Sequence, residues 1–280
     1  MSAQIKDAAL LYQPAVALDF FKAAGKPEKV AAGKVFFSEN DKAKSYLFMH
    51  DKMYLLLEGE VELTARKKVI GTVKKGQIFG EMTSITHAPR SATAVAKTAC
   101  RVIALDDKQF HEGMKKKPAF ALMLMSIMIG RLRETLAKLV ANDALTDDAA
   151  TKELVVFDPQ RLSELAEGLS NDPPVYFDRN KTIVQEGQAG LRMYAVLEGH
   201  VAVSIGGKIV EKLGPGGVFG ELALFDHAPR LASVVAVTDS QLLPINRTAF
   251  EMLVKTSPDF AESLLGSLAE RLRVLTARLK

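Results

Sequence analysis

The chain has 280 residues, of which 48% are hydrophobic and 25% charged, a profile of folded globular protein with length enough for two domains. The net charge of +4 is spread over short basic clusters (Arg66, Lys67, Lys68; Lys74, Lys75; Lys115, Lys116, Lys117), which read as solvated turns and helix ends rather than a nucleic-acid surface. The single cysteine, Cys100, excludes an intramolecular disulfide and suits a reducing compartment. The first residues lack the basic-then-apolar pattern of a secretory signal, and the longest apolar run, Phe120–Gly130, is shorter than the ~20 residues a bilayer requires. A cytoplasmic protein with no membrane span is therefore expected.

In chain order, proline at the start and glycine past the end place a short helix at Pro14–Ala24. Short segments rich in Val, Ile, Phe and Tyr follow, separated by glycine turns: Val35–Phe37, Met53–Leu57, Gly59–Ala65, Val69–Val73, Ala92–Ala96 and Arg101–Leu105. Closely spaced strands of this kind predict a barrel or jelly roll. A longer helical pattern, Pro118–Ala141, ends this half. The polar, acidic stretch Asn142–Glu153 reads as a linker. A second short helix at Pro159–Leu169 and a second terminal helix at Pro258–Leu279 repeat the scheme.

The repetition extends to the residues themselves. FGEMTSITHAPRSATAVA from Phe79 and FGELALFDHAPRLASVVA from Phe219 stand 140 residues apart. That spacing holds without a gap from Met53/Met193 to the terminal helices, where Arg131 and Arg133 match Arg271 and Arg273. Upstream, GKVFFSEN from Gly33 matches NKTIVQEG from Asn180 at a spacing of 147, so the first repeat carries seven extra residues within Asp41–Lys52. Two copies of one domain follow, with bounds 1–142 and 155–280 around a linker at 143–154.

The repeated FGE…HAPR segment carries the chemistry. Gly80 permits unusual dihedrals and close backbone approach. Glu81 opens Met82–Ile85, a candidate helical turn whose first N–H groups have no intrahelical partner and suit an anion. Pro89 fixes the next turn, Arg90 offers a forked cation matched to phosphate, Ser91 adds a hydroxyl and Ala92 keeps the approach open. A carboxylate in a phosphate cradle would repel its ligand unless it accepts a nearby hydroxyl. One phosphate charge beside a free sugar hydroxyl meets both demands, as in a ribose 3′,5′-cyclic phosphate. Triphosphates fit less well, because neither repeat has a Gly-x-x-x-x-Gly-Lys loop.

On these residues each repeat resembles the phosphate-binding cassette of the cyclic nucleotide-binding domain family, which includes catabolite activators, protein kinase A regulatory subunits and nucleotide-gated channels. The resemblance covers about Lys29–Ala141 and Asp178–Lys280. It implies a mainly β fold with flanking helices: two β-roll (jelly-roll) domains in tandem, each ending in a long helix. It implies that Glu81 and Glu221 accept the ribose 2′-OH and that Arg90 and Arg230 pair with the phosphate. Backbone N–H groups of Met82, Thr83, Leu222 and Ala223 would complete the cradle, with Gly80 and Gly220 against the sugar. Ala92 and Ala232 would leave room for the phosphate. Ser91 would touch the phosphate, whereas Leu231 departs from the pattern and cannot do so by side chain, so repeat 1 is expected to bind more tightly. Aligned on Arg-Leu-Arg, Thr135 and Thr276 stand near where a terminal helix would meet the purine.

The ligand implied is cAMP or cGMP, with no cofactor. His87 and His227 read as loop residues and Cys100 as a packing residue. No metal motif and no catalytic arrangement is legible, so an enzyme is not expected. The chain ends in a terminal helix, without a helix-turn-helix for DNA or an Arg-Arg-x-Ser/Ala pseudosubstrate. That predicts a stand-alone receptor regulating a separate effector protein, its two terminal helices paired within one chain as a pseudo-dimer. The alternatives are a nucleotide-independent scaffold that keeps the fold and a regulator-like protein lacking its own helix-turn-helix.

Overall fold

The computed structural model describes residues 12–41, 51–145, 153–169, 172–226 and 228–279. His227, most of the seven-residue insertion and the middle of the linker lie outside them. The chain divides into two compact units, Met1–Ile127 and Met128–Lys280.

In the first unit, helix α1 (Pro14–Ala24) precedes β1 (Lys26–Val30) and β2 (Val35–Phe37). Strands β3 (Lys52–Glu58), β4 (Val61–Ala65), β5 (Lys68–Val73) and β6 (Ile78–Phe79) follow. The cassette helix α2 (Glu81–Thr86), β7 (Thr93–Ala96) and β8 (Cys100–Asp106) come next, then α3 (Asp107–Lys116) and α4 (Pro118–Ala141). The strands form two antiparallel four-stranded sheets, ordered β1-β8-β3-β6 and β2-β7-β4-β5. Alternation puts one face of each strand inside: β7 buries Ala94 and Ala96 and leaves Thr93 and Val95 half-exposed. These alanines pack with Leu56, Val61, Phe79 and Val102 in the β-roll core. A second core joins the helices, where Phe20 stacks on Phe120 with centroids 3.7 Å apart and Phe110 and Phe21 meet them edge-on. Gly113 is required there, because a Cβ would lie 2.8 Å from the Phe20 ring.

Besides the two-residue β6, strand β1 and helix α3 have no counterpart in the sequence reading. β1 is Lys-Pro-Glu-Lys-Val, a poor strand sequence by propensity; it survives as an edge strand, where proline's missing donor is harmless. α3 is set by a capping box, with Asp106 accepting from the Gln109 N–H and the Gln109 side chain accepting from the Asp106 N–H.

The second unit takes the α4 residues from Met128 onward and then repeats the plan. α5 (Pro159–Gly168), β9 (Val175–Phe177), β10 (Thr182–Val184), β11 (Arg192–Glu198), β12 (Val201–Ile205), β13 (Lys208–Leu213) and β14 (Val218–Phe219) lead to a short α6 (Ala223–Asp226). β15 (Ser233–Ala236), β16 (Ser240–Asn246), α7 (Arg247–Thr256) and α8 (Pro258–Arg278) complete it. Its sheets are ordered β14-β11-β16-β9 and β10-β15-β12-β13, all antiparallel. The β3/β8 pair Lys52↔Asp106 and the β11/β16 pair Arg192↔Asn246 occupy equivalent registers, so the sequence repeat is a structural repeat. Leu136 and Leu139 of α4 share one cluster with Leu275 and Leu279, Leu145 and Ile205.

The basic clusters lie where their composition placed them: Arg66 and Lys67 form the exposed β4–β5 turn in left-handed backbone, and Lys115 and Lys116 end α3. Cys100 is buried at the start of β8, where burial pushes its thiol pKa up. His87, in left-handed backbone, ends α2 as an exposed loop residue.

Candidate functional site

In each unit the cassette begins where the chain leaves a core strand through a left-handed glycine. Gly80 and Gly220 have φ of 81° and 83°. A Cβ at 220 would meet the Arg230 guanidinium at 2.7 Å and one at 80 would meet Arg90 at 3.1 Å. The glycine thus turns the chain into the helical segment and lets the arginine pass beneath it. Glu81 opens α2 and is buried, as is Thr83; Met82 is half-buried. In the second unit Glu221 and Leu222 form a turn, with Leu224 N–H donating to Glu221 O at 3.1 Å, before α6 begins at Ala223.

The two arginines are held alike. Arg90 Nη1 donates to Gly80 O and Nη2 to Lys52 O, both at 2.8 Å. Arg230 repeats this with Gly220 O at 2.7 Å and Arg192 O at 2.6 Å. Both side chains are buried, and burial lowers both pKa values from the arginine norm. Their surroundings differ. Arg90 lies 4.2 Å from the centre of the Phe37 ring and 3.5 Å from the Asp51 carboxylate, a cation–π contact and a close ion pair. Repeat 2 has Leu191, which is exposed, in the place of Asp51, and no aromatic at the Phe37 place, where Val184 stands. Ser91 is exposed and Ala92 buried.

The second unit holds a cavity of about 180 Å³. Gly220, Glu221, Leu222, Ala223, Arg230, Leu231 and Ala232 all line it. The sequence-predicted residues of repeat 2 are thus gathered around one space, closed by apolar side chains such as Val184, Val203, Phe219 and Val234. Thr276 is the exception: it is exposed and absent from the lining. Thr135 is buried in α4, within the second unit.

One contributor was not recognised from sequence. Arg271 of α8 donates from Nη1 to Glu221 Oε1 at 2.9 Å, from Nε to both Glu211 oxygens at 3.1 Å and from Nη2 to Val218 O at 2.7 Å. Burial pushes the Glu221 pKa up, against the pull of Arg271. Burial alone would lower the pKa of Arg271, but Glu211 and Glu221 outweigh it and raise it. The signal was present: Arg271 interrupts the apolar stripe of Leu264, Leu268 and Leu275, and a charge on a buried helix face needs a partner.

Among the described residues no cluster of three or more His, Cys, Asp or Glu could hold a metal ion, and no helix is long and apolar enough to cross a membrane.

Comparison with known proteins gives the same picture. The chain is 29% identical over 236 residues to the cAMP-dependent protein kinase regulatory subunit of Debaryomyces hansenii, covering 83% of this chain and 47% of that protein. It is 28% identical over 205 residues to that of Eremothecium gossypii, covering 73% and 40%. The chain therefore spans less than half the length of these relatives. Among solved structures, it is similar to the cAMP-bound regulatory domain of Toxoplasma gondii PKA (21% identity, 96% of this chain and 98% of that one, TM-score 0.32). It is also similar to Thermus thermophilus catabolite activator protein (35% identity, 42% and 57%, TM-score 0.38). Residues 27–117 and 174–257 each match the cyclic nucleotide-binding domain family, and with a β-roll and cassette in both places the chain belongs to that family as a tandem-domain member.

Proposed function

We infer that the chain is a receptor for a purine nucleoside 3′,5′-cyclic monophosphate, cAMP foremost, and that binding changes its action on a separate protein. The observation that carries this reading is the convergence of Glu221 and Arg230 on one cavity with apolar walls. The acid suits a ribose hydroxyl, the guanidinium a ring phosphodiester and the walls a base. The names of the curated relatives support cAMP as ligand and a protein kinase catalytic subunit as the class of partner. The leucine cluster shared by the ends of α4 and α8 supports pairing of the terminal helices within one chain.

The test is calorimetric titration of the full chain with cAMP and cGMP. Two binding events are expected, the tighter at repeat 1, where Ser91 offers a hydroxyl that Leu231 lacks. Arg90→Ala should abolish one event and Arg230→Ala the other. Each should lose about 2–5 kcal/mol, the range for truncating one side of a buried charge pair, or roughly 30-fold to several thousand-fold in affinity. Absence of heat with either nucleotide in the wild-type protein would favour a scaffold that keeps the fold without the ligand.

A further inference from the structure

The two repeats differ in charge at one hairpin. In repeat 1, β4 and β5 are joined by Arg66 and Lys67, and β5 begins at Lys68 and runs out into Lys74 and Lys75. All five cations are exposed. The spacing of the repeat puts Gly206, Gly207, Lys208, Gly214 and Pro215 in their places, so the second hairpin keeps only the lysine that opens its outer strand.

The fold does not ask for these charges. Both turns are made alike: the Arg66 N–H donates to Glu39 Oε2 at 2.7 Å and the Gly206 N–H to Glu186 Oε2 at 2.9 Å. Both also use left-handed backbone, with φ of 50° and 63° at Arg66 and Lys67 and of 56° and 80° at Gly206 and Gly207. That conformation strains a residue with a side chain and suits glycine. Repeat 1 thus keeps two cations where glycine folds more easily, and strain retained in this way points to a use.

Between the cations lie two bare aliphatics. β5 is the edge of its sheet. Its pairing with β4 shifts register between Leu63 and Thr64, which leaves Ile70 as the extra residue of a bulge. Val69 is 62% and Ile70 59% exposed. Bulge and lysines together make this edge a poor template for another strand. The copy shows what it suits instead. There the bulge residue Val210 shares one cluster with Leu136 and Leu275 from the ends of α4 and α8, and Lys208 meets Asp143 at 2.7 Å. A leucine-bearing helix end and a carboxylate are what the equivalent strand takes.

The helix that ends repeat 1 is no complement to the first hairpin, since α4 carries Arg131, Arg133 and Lys138 against Glu134. Packing on a helix within the chain does not need the extra cations either, because the second hairpin does so with glycines and proline in their places. Five cations around two aliphatics call for an acidic occupant from elsewhere.

We propose that the β4–β5 hairpin of repeat 1 is a docking surface for an acidic amphipathic helix of a separate protein, its apolar face on Val69 and Ile70 and its carboxylates on the cations at either end of β5. The surface goes beyond the nucleotide site, because no part of it belongs to the cassette.

The test uses the full chain without nucleotide and a fluorescent amphipathic peptide of about 18 residues, with leucines on one face and glutamates flanking them. Anisotropy should show binding that weakens as salt rises, and none with lysines in place of the glutamates. Arg66→Gly with Lys67→Gly rebuilds the turn of repeat 2. Its melting temperature should not fall, yet its affinity for the peptide should drop about two- to thirtyfold, the scale of two exposed ion pairs. Val69→Ser with Ile70→Ser should weaken binding about tenfold or more. Affinity unchanged in both variants would overturn the proposal. So would a wild-type chain that ignores the peptide and instead sediments with phosphatidylserine vesicles, pairs with its own copy in ultracentrifugation, or does neither while the glycine variant aggregates, which would leave the cations only guarding an edge.

Discussion

Replacing Arg271 by alanine should destabilise the second unit by about 3–5 kcal/mol, the range for stripping one partner from a buried ion pair. The reason lies in what remains. Glu221 is 2% exposed, and its carboxylate would lose its cationic partner; Glu211, also largely buried, loses two charge-assisted hydrogen bonds, and Val218 O one more. On a unit of this size the loss amounts to roughly 10 °C in melting temperature. The pH dependence gives the test its sign. Burial already raises the Glu221 pKa, and Arg271 opposes that rise. Without Arg271 the folded-state pKa climbs further above the unfolded value, which is about 4.3 for glutamate. A carboxyl group with a raised folded pKa loses stability as pH rises through that pKa. The gap between variant and wild type should therefore be wide at neutral pH and narrow on acidification. Glu221→Gln added to Arg271→Ala should recover part of the neutral-pH loss. Melting curves between pH 4 and 8 decide the matter, and a gap that stays constant with pH would show that Glu221 is not the group left stranded.

Gly190→Ala should inactivate the second site without unfolding the protein. A Cβ at 190 would lie 1.9 Å from Arg230 Nε and 2.2 Å from its Cζ. The obstacle is the end of a flexible side chain rather than backbone, so the fold can yield by swinging the guanidinium aside. That motion breaks the bonds to Gly220 O and Arg192 O and removes the cation from the cavity. Affinity at the second site should then fall as far as in Arg230→Ala, roughly 30-fold to several thousand-fold, with only a small shift in melting. The double variant should be no weaker than Arg230→Ala, because both changes remove the same interaction. Additive losses in titrations of the three proteins would mean that Gly190 serves the ligand directly rather than through Arg230.

What the amino-acid sequence disclosed follows from the range of each cause. The repeat, the strand alternation and the FGE…HAPR cassette are local patterns, so Gly80, Glu81, Arg90 and their copies are legible in the chain alone. Helix α3 was missed although its Asp-x-x-Gln cap stands in the chain, because its mean hydropathy is low and its apolar stripe short. β1 was missed because tertiary pairing with β8 overrides the propensity of Lys-Pro-Glu-Lys-Val. Arg271 and Glu221 are 50 residues apart, and no local period ties them. The face that α4 turns toward the second cavity depends on how the end of that helix packs, which its alignment with α8 could not reveal. For the same reason the alignment put Thr276 near the base, whereas the fold turns it to solvent.

The carbonyl clamps on Arg90 and Arg230 bear on how fast a ligand could be captured. A free arginine samples many rotamers, and freezing such a side chain on association costs about 0.5–1.5 kcal/mol. Here two backbone oxygens have already frozen each fork in the folded chain. That entropy is spent during folding, so arrival of an anion need not wait for a side-chain search. The rate of entry is then set by the width of the opening and by diffusion, and differences in affinity among ligands should be written in how long each one stays.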